Sequence, residues 1–293
     1  MMALSTGPGP NLFIIGAAKA GTTTLHQTLS EHPDIFMSDL KEPAFFVPEL
    51  QYHPKSEAWY LSLFEGGRDR AYRGESSTHY AKIPLFEGVP ERVHAFAPDA
   101  RLIYLVRDPI DRALSHYWHN TRSRRPEFKE DRPMLEAIEG DPLYRSYSDY
   151  TMQLEPWFEL FGKDAVAVMV FEEMVEDPVK ALEPVLLDLG LRPFGDELEL
   201  PQANAKPEHV EQVKGLGILD RIRRSETWNL ASPLVPQRVK DFAKERATGR
   251  APSPFEDRSQ EATELLLPWA RGVVRETEEL LGRPLPAWRT SRG

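Results

Sequence analysis

The sequence predicts an α/β protein, a mostly parallel sheet flanked by helices, and three observations carry that expectation. Short apolar runs alternate with stretches of helical period, the signature of βαβ units. The two strongest runs, 12–15 (LFII) and 101–106 (RLIYLV), are apolar at nearly every position, as in strands covered on both faces. The first of them turns through small residues straight into a helical pattern, a geometry that holds phosphate.

Residues 12–15 form the first strand, closed by the loop 16–21 and followed by a helix over about 22–30. A weaker strand is expected at 71–75. The strand 101–106 is stopped at Pro109, where a helix running through residue 120 begins, proline being preorganised for a first helical turn. A helix over 150–161 closes at Gly162, 165–171 (AVAVMVF) is another central strand, and a helix follows over about 178–189. Residues 201–259 are polar, proline-rich and irregular, and 261–281 resume a helical period that ends at Gly282. The expectation is one domain over 1–293. An α/β core at 11–190 carries an irregular and helical C-terminal elaboration at 191–293, packed on the same sheet.

The chain has 293 residues, 41% hydrophobic and 28% charged, enough to bury a sizeable core. Lys and Arg number 36 against 46 Asp and Glu, a formal charge of −10 that argues against general nucleic-acid binding. Cysteine is absent, which removes disulfides, zinc–thiolate sites, iron–sulfur clusters and thiol nucleophiles together. No apolar run approaches the roughly 18 residues of a membrane span, and the first residues lack a basic leader pattern. A cytoplasmic protein is expected.

The most informative segment is GAAKAGTTTL at 16–25. Gly16, Ala17, Ala18, Ala20 and Gly21 let the backbone approach a ligand closely. The first N–H groups of the next helix, at Thr22, Thr23 and Thr24, point at it along the helix dipole. The threonine hydroxyls add donors, and Lys19 adds charge. Gly16 and Gly21 have P-loop spacing, but Thr22 stands where a P-loop has its lysine. The loop is therefore P-loop-like, built for a phosphate-bearing nucleotide without ATP–Mg²⁺ chemistry. An arginine beside the metal position, Arg107 next to Asp108, agrees with that.

Arg107 stands at the carboxyl end of a core strand, where open α/β sheets bind ligands, and Ser115 lies two helical turns further on. Together they make a second phosphate site; alternatively Arg107 pairs with Asp108 or Asp111 at the surface. His116 and His119 imitate metal-ligand spacing, but with no carboxylate partner they read as surface or packing residues.

KAGTTTL after a strand, paired with LIYLVRDPIDRALSHY, resembles the sulfotransferases that use 3′-phosphoadenosine-5′-phosphosulfate (PAPS). It is most similar to the heparan sulfate sulfotransferase domains and their bacterial relatives on natural-product pathways. The resemblance spans 11–190 and the ending LLGRPLPAW. It implies that Lys19, Ala20, Gly21, Thr22, Thr23 and Thr24 hold the 5′-phosphosulfate, that Arg107 and Ser115 hold the 3′-phosphate, and that the product is 3′-phosphoadenosine 5′-phosphate (PAP). It also places KEPAFF, 41–46, beside the sulfuryl group with Glu42 as general base. Pro43 favours an extended Glu42. A plain solvated carboxylate paired with Lys41 is the alternative, and Phe45 and Phe46 read as core or pocket wall. GESSTHY at 74–80 resembles a segment near the reaction centre. Glu75 there fixes backbone, whereas His79 stays open between a second base, an acceptor-positioning group and an ordinary loop histidine. Lys206, within NAKPEH, reads as a lid residue over the cofactor, although the tail lacks the paired cysteines of the heparan-specific pattern.

Sulfuryl transfer needs a base for the acceptor proton, a cation at the leaving phosphate and donors for the sulfonate oxygens. Glu42, Lys19 and the helix start at Thr22–Thr24 supply these in order, with no metal required. The mixed-sign stretch 121–132 holds five basic and three acidic residues; it faces an anionic acceptor or a carrier protein, or is simply solvated. The net charge weighs against a long polysulfated chain. A hydroxyl on a small metabolite, lipid, saccharide or carrier-bound intermediate is the expected acceptor. Two rival readings are a small-molecule kinase, against which the missing lysine after Gly21 counts, and a non-catalytic PAP-binding protein, against which Glu42 speaks. Oligomeric state is not readable from the sequence.

Overall fold

In a computed structural model, which describes residues 9–51, 53–123, 125–195 and 255–292, five strands form one sheet. They are β1 (Leu12–Gly16), β2 (Ile35–Met37), β3 (Tyr72–Ser76), β4 (Arg101–Val106) and β5 (Val166–Val170). Their order is β2-β3-β1-β4-β5, and every neighbouring pair is parallel. All five residues of β1 are buried, as expected for the middle strand of a sheet covered on both faces.

The helices are α1 (Thr22–Ser30), α2 (Glu57–Ser62), α3 (Val89–Phe96), α4 (Pro109–Thr121), α5 (Met134–Gly140), α6 (Leu143–Ser146), α7 (Tyr150–Phe161), α8 (Phe171–Glu176), α9 (Pro178–Asp188) and α10 (Ser259–Leu281). The chain leaves β1 toward β3 and β2, and later leaves β4 toward β5 on the other side. That reversal opens a crevice past the carboxyl ends of β1 and β4, the place where such sheets bind ligands.

Strands β1, β3, β4 and β5 fall within a residue of their predicted bounds. Two elements differ from expectation. The edge strand β2 has only three residues, too few for an alternation to register. Phe171, expected to end the last strand, instead opens α8.

Behind the sheet the C-terminal segment closes back onto its core. α10 packs against α4, α5 and α7. Trp288 is fully buried and donates Nε1–H to Glu172 Oε2 at 2.8 Å, and the Thr290 N–H reaches Asp108 Oδ2 at 2.9 Å. The other oxygen of Asp108 caps α4 by accepting from the N–H groups of Ile110 (3.0 Å) and Asp111 (3.2 Å). One carboxylate thus ties the start of α4 to the end of the described chain.

Candidate active site

After Gly16 the chain must turn sharply to bring α1 over the end of the sheet. Lys19 takes a left-handed φ of 73° and Gly21 one of 88°. A Cβ on Gly21 would stand 2.5 Å from the Phe171 ring, so glycine is required twice, for its φ and for its lack of a side chain. Lys19 has no such licence, and its conformation is strain of the kind that gathers at functional sites. Two arginines hold the turn in place. Arg107 Nη1 donates to the Lys19 carbonyl at 2.9 Å, and Arg112 Nη1 to the Ala18 carbonyl at 3.4 Å. The N–H groups of Thr22, Thr23 and Thr24 emerge from this turn with no acceptor among the described residues.

Arg107 pairs with neither Asp108 nor Asp111. Asp108 is the α4 cap, and Asp111 meets Arg289 at 2.9 Å. The Arg107 guanidinium lies over the Phe171 ring, 4.8 Å from its centroid, and its Nε is buried with no partner among the described residues. Such a donor wants an anion, since an unmet buried polar group is costly. Ser115 joins it on the cleft wall, one face of α4 below.

Across the cleft, Glu42 contradicts the expectation of an extended backbone: its φ is 59°. The local bias of Pro43 is overridden by the pairing of Glu42 N–H with the Ser76 carbonyl at 2.9 Å and by four donors that pin the carboxylate. Thr78 N–H (2.8 Å) and His79 Nδ1 (3.1 Å) meet Oε2, while Thr78 Oγ1 (3.1 Å) and Lys41 Nζ (2.9 Å) meet Oε1. Burial pushes this carboxyl up. The His79 hydrogen bond and the Lys41 charge outweigh that, holding it well below the usual carboxylate range. His79 is pushed below its ordinary value by burial and by Lys82, with Glu42 pulling the other way, so the ring is neutral near pH 7.

Glu75 sits directly behind this arrangement, fully buried. It accepts from Tyr60 and Tyr80 hydroxyls and from Ser77 Oγ at 2.7 Å, and Ser77 Oγ accepts the Ala44 N–H at 3.0 Å. The chain of bonds runs from the core to the loop that carries Glu42, which is the backbone-fixing role expected of Glu75. Burial pushes its carboxyl up to about 7. Phe45 stacks on Tyr60 at 4.1 Å and Phe46 is 4% exposed, so both belong to the core.

One cleft of about 2530 Å³ is lined by Lys19, Thr22, Thr23, Glu42, His79, Arg107 and Ser115. Ala20 and Thr24 are buried behind its wall. Lys206 lies outside the described residues. Sequence reasoning passes over three residues that bear on the site, Arg112, His119 and Lys82, and offers Lys41 only as a partner of Glu42. Arg112 is a fully buried guanidinium spent on Ser148 Oγ and on the carbonyls of Tyr144 (2.7 Å) and Ala18. Lys41 bridges from Glu42 to Thr22 Oγ1 at 3.5 Å. Of the two histidines expected at the surface or in packing, His119 accepts from Lys19 Nζ at 3.4 Å, and His116 packs between the rings of Tyr144 and Tyr147. Lys82 lines the cleft three residues after His79. Only Arg112 had a sequence signal, its place one helical turn after Arg107 and Asp108. Within the mixed-sign stretch Arg132 pairs with Glu130 at 2.8 Å and Lys129 with Asp131 at 2.7 Å.

A parallel sheet with a phosphate-type turn at its switch point is the layout of a nucleotide-handling α/β protein. Residues 9–204 match the family described as "Sulfotransferase domain", and the chain belongs to that family. It is 30% identical over 198 residues to heparan sulfate glucosamine 3-O-sulfotransferase 6 of Homo sapiens, covering 64% of this chain and 56% of that protein. With heparan sulfate glucosamine 3-O-sulfotransferase 3B1 of Mus musculus it shares 33% over 196 residues, 62% of this chain and 46% of that one. The chain thus spans about half the length of these curated relatives. A sulfotransferase from Alicyclobacillus acidocaldarius superposes with a TM-score of 0.64 at 26% identity, over 96% of this chain and 98% of that structure. Among the described residues no helix is long and apolar enough to cross a membrane.

Proposed function

We propose that the protein transfers the sulfuryl group of PAPS to a hydroxyl of a small or carrier-bound acceptor by in-line displacement. What supports this reading is the meeting in one cleft of Lys19, Thr22 and Thr23, of Arg107 and Ser115, and of Glu42 with His79. Arg107, with its buried Nε, and Ser115 fit a 3′-phosphate; the Lys19–Thr24 turn fits the phosphosulfate. The donor supplies an activated sulfuryl group and departs as PAP. Lys19 meets the charge on the departing phosphate oxygen, and the N–H groups of Thr22–Thr24 hold the sulfonate oxygens. Backbone and lysine answer that charge, so the proposal calls on no metal.

For the base, the hydrogen bonding favours a refinement of the sequence reading. A carboxylate already accepting four hydrogen bonds is a poor proton acceptor. Glu42 instead holds His79 by its Nδ1–H, and His79 Nε2 takes the acceptor proton as the acceptor oxygen bonds to sulfur. Glu42 is then the partner that stabilises the imidazolium.

The test is calorimetric titration with PAP, 5′-AMP and ATP, each with and without Mg²⁺, followed by turnover on an acceptor panel. Metal-independent binding that requires the 3′-phosphate, with turnover, is expected. Preference for ATP with Mg²⁺ would replace this reading with a kinase, and tight PAP binding without turnover on any acceptor would leave a binding protein.

A further inference from the structure

Lys82 stands at the end of the short 3₁₀ turn Thr78–Ala81 that carries His79, and its side chain lines the cleft. Among the described residues no carboxylate lies within ion-pair distance of it. Its ammonium is flanked by aromatic faces, 5.5 Å from the centroid of Phe128 and 5.7 Å from that of Tyr147. Phe128 also stands 6.1 Å from the His79 ring, and Phe86 stands at the same distance from it. The acceptor side of the cleft is therefore an aromatic-walled slot, with the imidazole and one ammonium both beside the Phe128 ring. Leu85, 43% exposed, extends its apolar wall.

An ammonium in such surroundings has lost much of its water and gained only ring faces in return, which replace hydration incompletely. Burial pushes it down to about 8, Glu42 opposing and Arg112 and Lys19 reinforcing the shift. A ligand anion would supply the missing partner. Lys19 and Arg107 are accounted for by the donor, whereas Lys82 shares its slot with His79, where an acceptor hydroxyl has to sit.

We infer that Lys82 is a specificity-determining residue that selects acceptors carrying an anionic group, such as a carboxylate, on a flat apolar body. This inference rests on the sulfuryl-transfer reading. The aromatic walls hold the body, Lys82 holds the acid, and the hydroxyl is left at His79.

The experiment uses the full chain saturated with PAP and two probes that differ only in the acid, 4-hydroxyphenylacetate and 4-hydroxyphenylacetamide. Calorimetry is expected to show the acid bound at least about tenfold tighter than the amide, the worth of one charge-assisted hydrogen bond. In Lys82→Met that preference should collapse to about one, through loss of acid affinity with the amide changed less than about twofold. Lys82→Arg should keep part of the preference, and unchanged PAP affinity in both variants shows that the donor half is folded. Equal binding of acid and amide by the unsubstituted protein, or a preference that survives Lys82→Met, overturns the assignment while leaving sulfuryl transfer standing. Failure of PAP to bind the unsubstituted protein overturns both.

Discussion

Replacing Glu42 by glutamine removes one charge and almost no volume, and it separates the roles of the two members of the pair. In the proposed mechanism His79 becomes an imidazolium, with its Nδ1 3.1 Å from Glu42 Oε2. Coulomb's law at an effective dielectric constant of about 20–40, suited to a carboxylate still 29% exposed, makes that contact worth roughly 3–5 kcal/mol. At about 1.4 kcal/mol per decade the loss in kcat is roughly 10²–10⁴-fold. Steady-state sulfuryl transfer by mass spectrometry measures the rate, and calorimetry measures PAP affinity, which should stay within about threefold because Glu42 lies across the cleft from Arg107. The pH profile adds a signed check. Glu42 raises the proton affinity of His79, so its removal should move the acid limb of the rate profile to lower pH as the plateau falls. A variant within tenfold of the original rate, or an acid limb that stays put or moves up, would refute the pairing.

Two further outcomes follow from the same geometry. Arg107→Ala should weaken PAP by roughly 10–100-fold, the worth of a charge-assisted bond, and 5′-AMP by less than about threefold; equal weakening of both would remove Arg107 from the 3′-phosphate. Glu75, folded at about 7 against an ordinary 4.5, binds more protons folded than unfolded between those values. Stability should therefore fall as pH rises through that window, by roughly 3 kcal/mol, and Glu75→Gln should lack that slope in denaturant melts at pH 5 and pH 8.

The legible parts of this protein were those dictated by local chemistry. β4 and the start of α4 follow from an apolar run stopped by proline, and the turn at Gly21 from small residues ahead of a helix. Lys19, Arg107 and Ser115 could be placed because each sits at a fixed offset from one of those features. Glu42 shows the limit. Its neighbour Pro43 biases it toward extended backbone, yet four donors from residues 41, 78 and 79 fix it left-handed, and two of those residues are distant in sequence. Lys82 and His119 were opaque for the same reason. Nothing within a few residues of either says which side of a helix or turn will face the cleft.

The Asp108 carboxylate receives the Thr290 N–H from 182 positions further along the chain, and the Trp288 indole reaches Glu172 across 116. Contacts of such long sequence separation form late, because loop closure has to precede them. During synthesis the turn after β1, the Glu42 loop and β4 all leave the ribosome before the segment that locks the head of α4 exists. A ribosome-bound chain ending near residue 200 would carry Lys19, Glu42, Arg107 and Ser115, yet lack the clasp on Asp108 at the head of α4. The order in which the polypeptide is made thus leaves the head of α4 unclasped until Trp288 and Thr290 have been added.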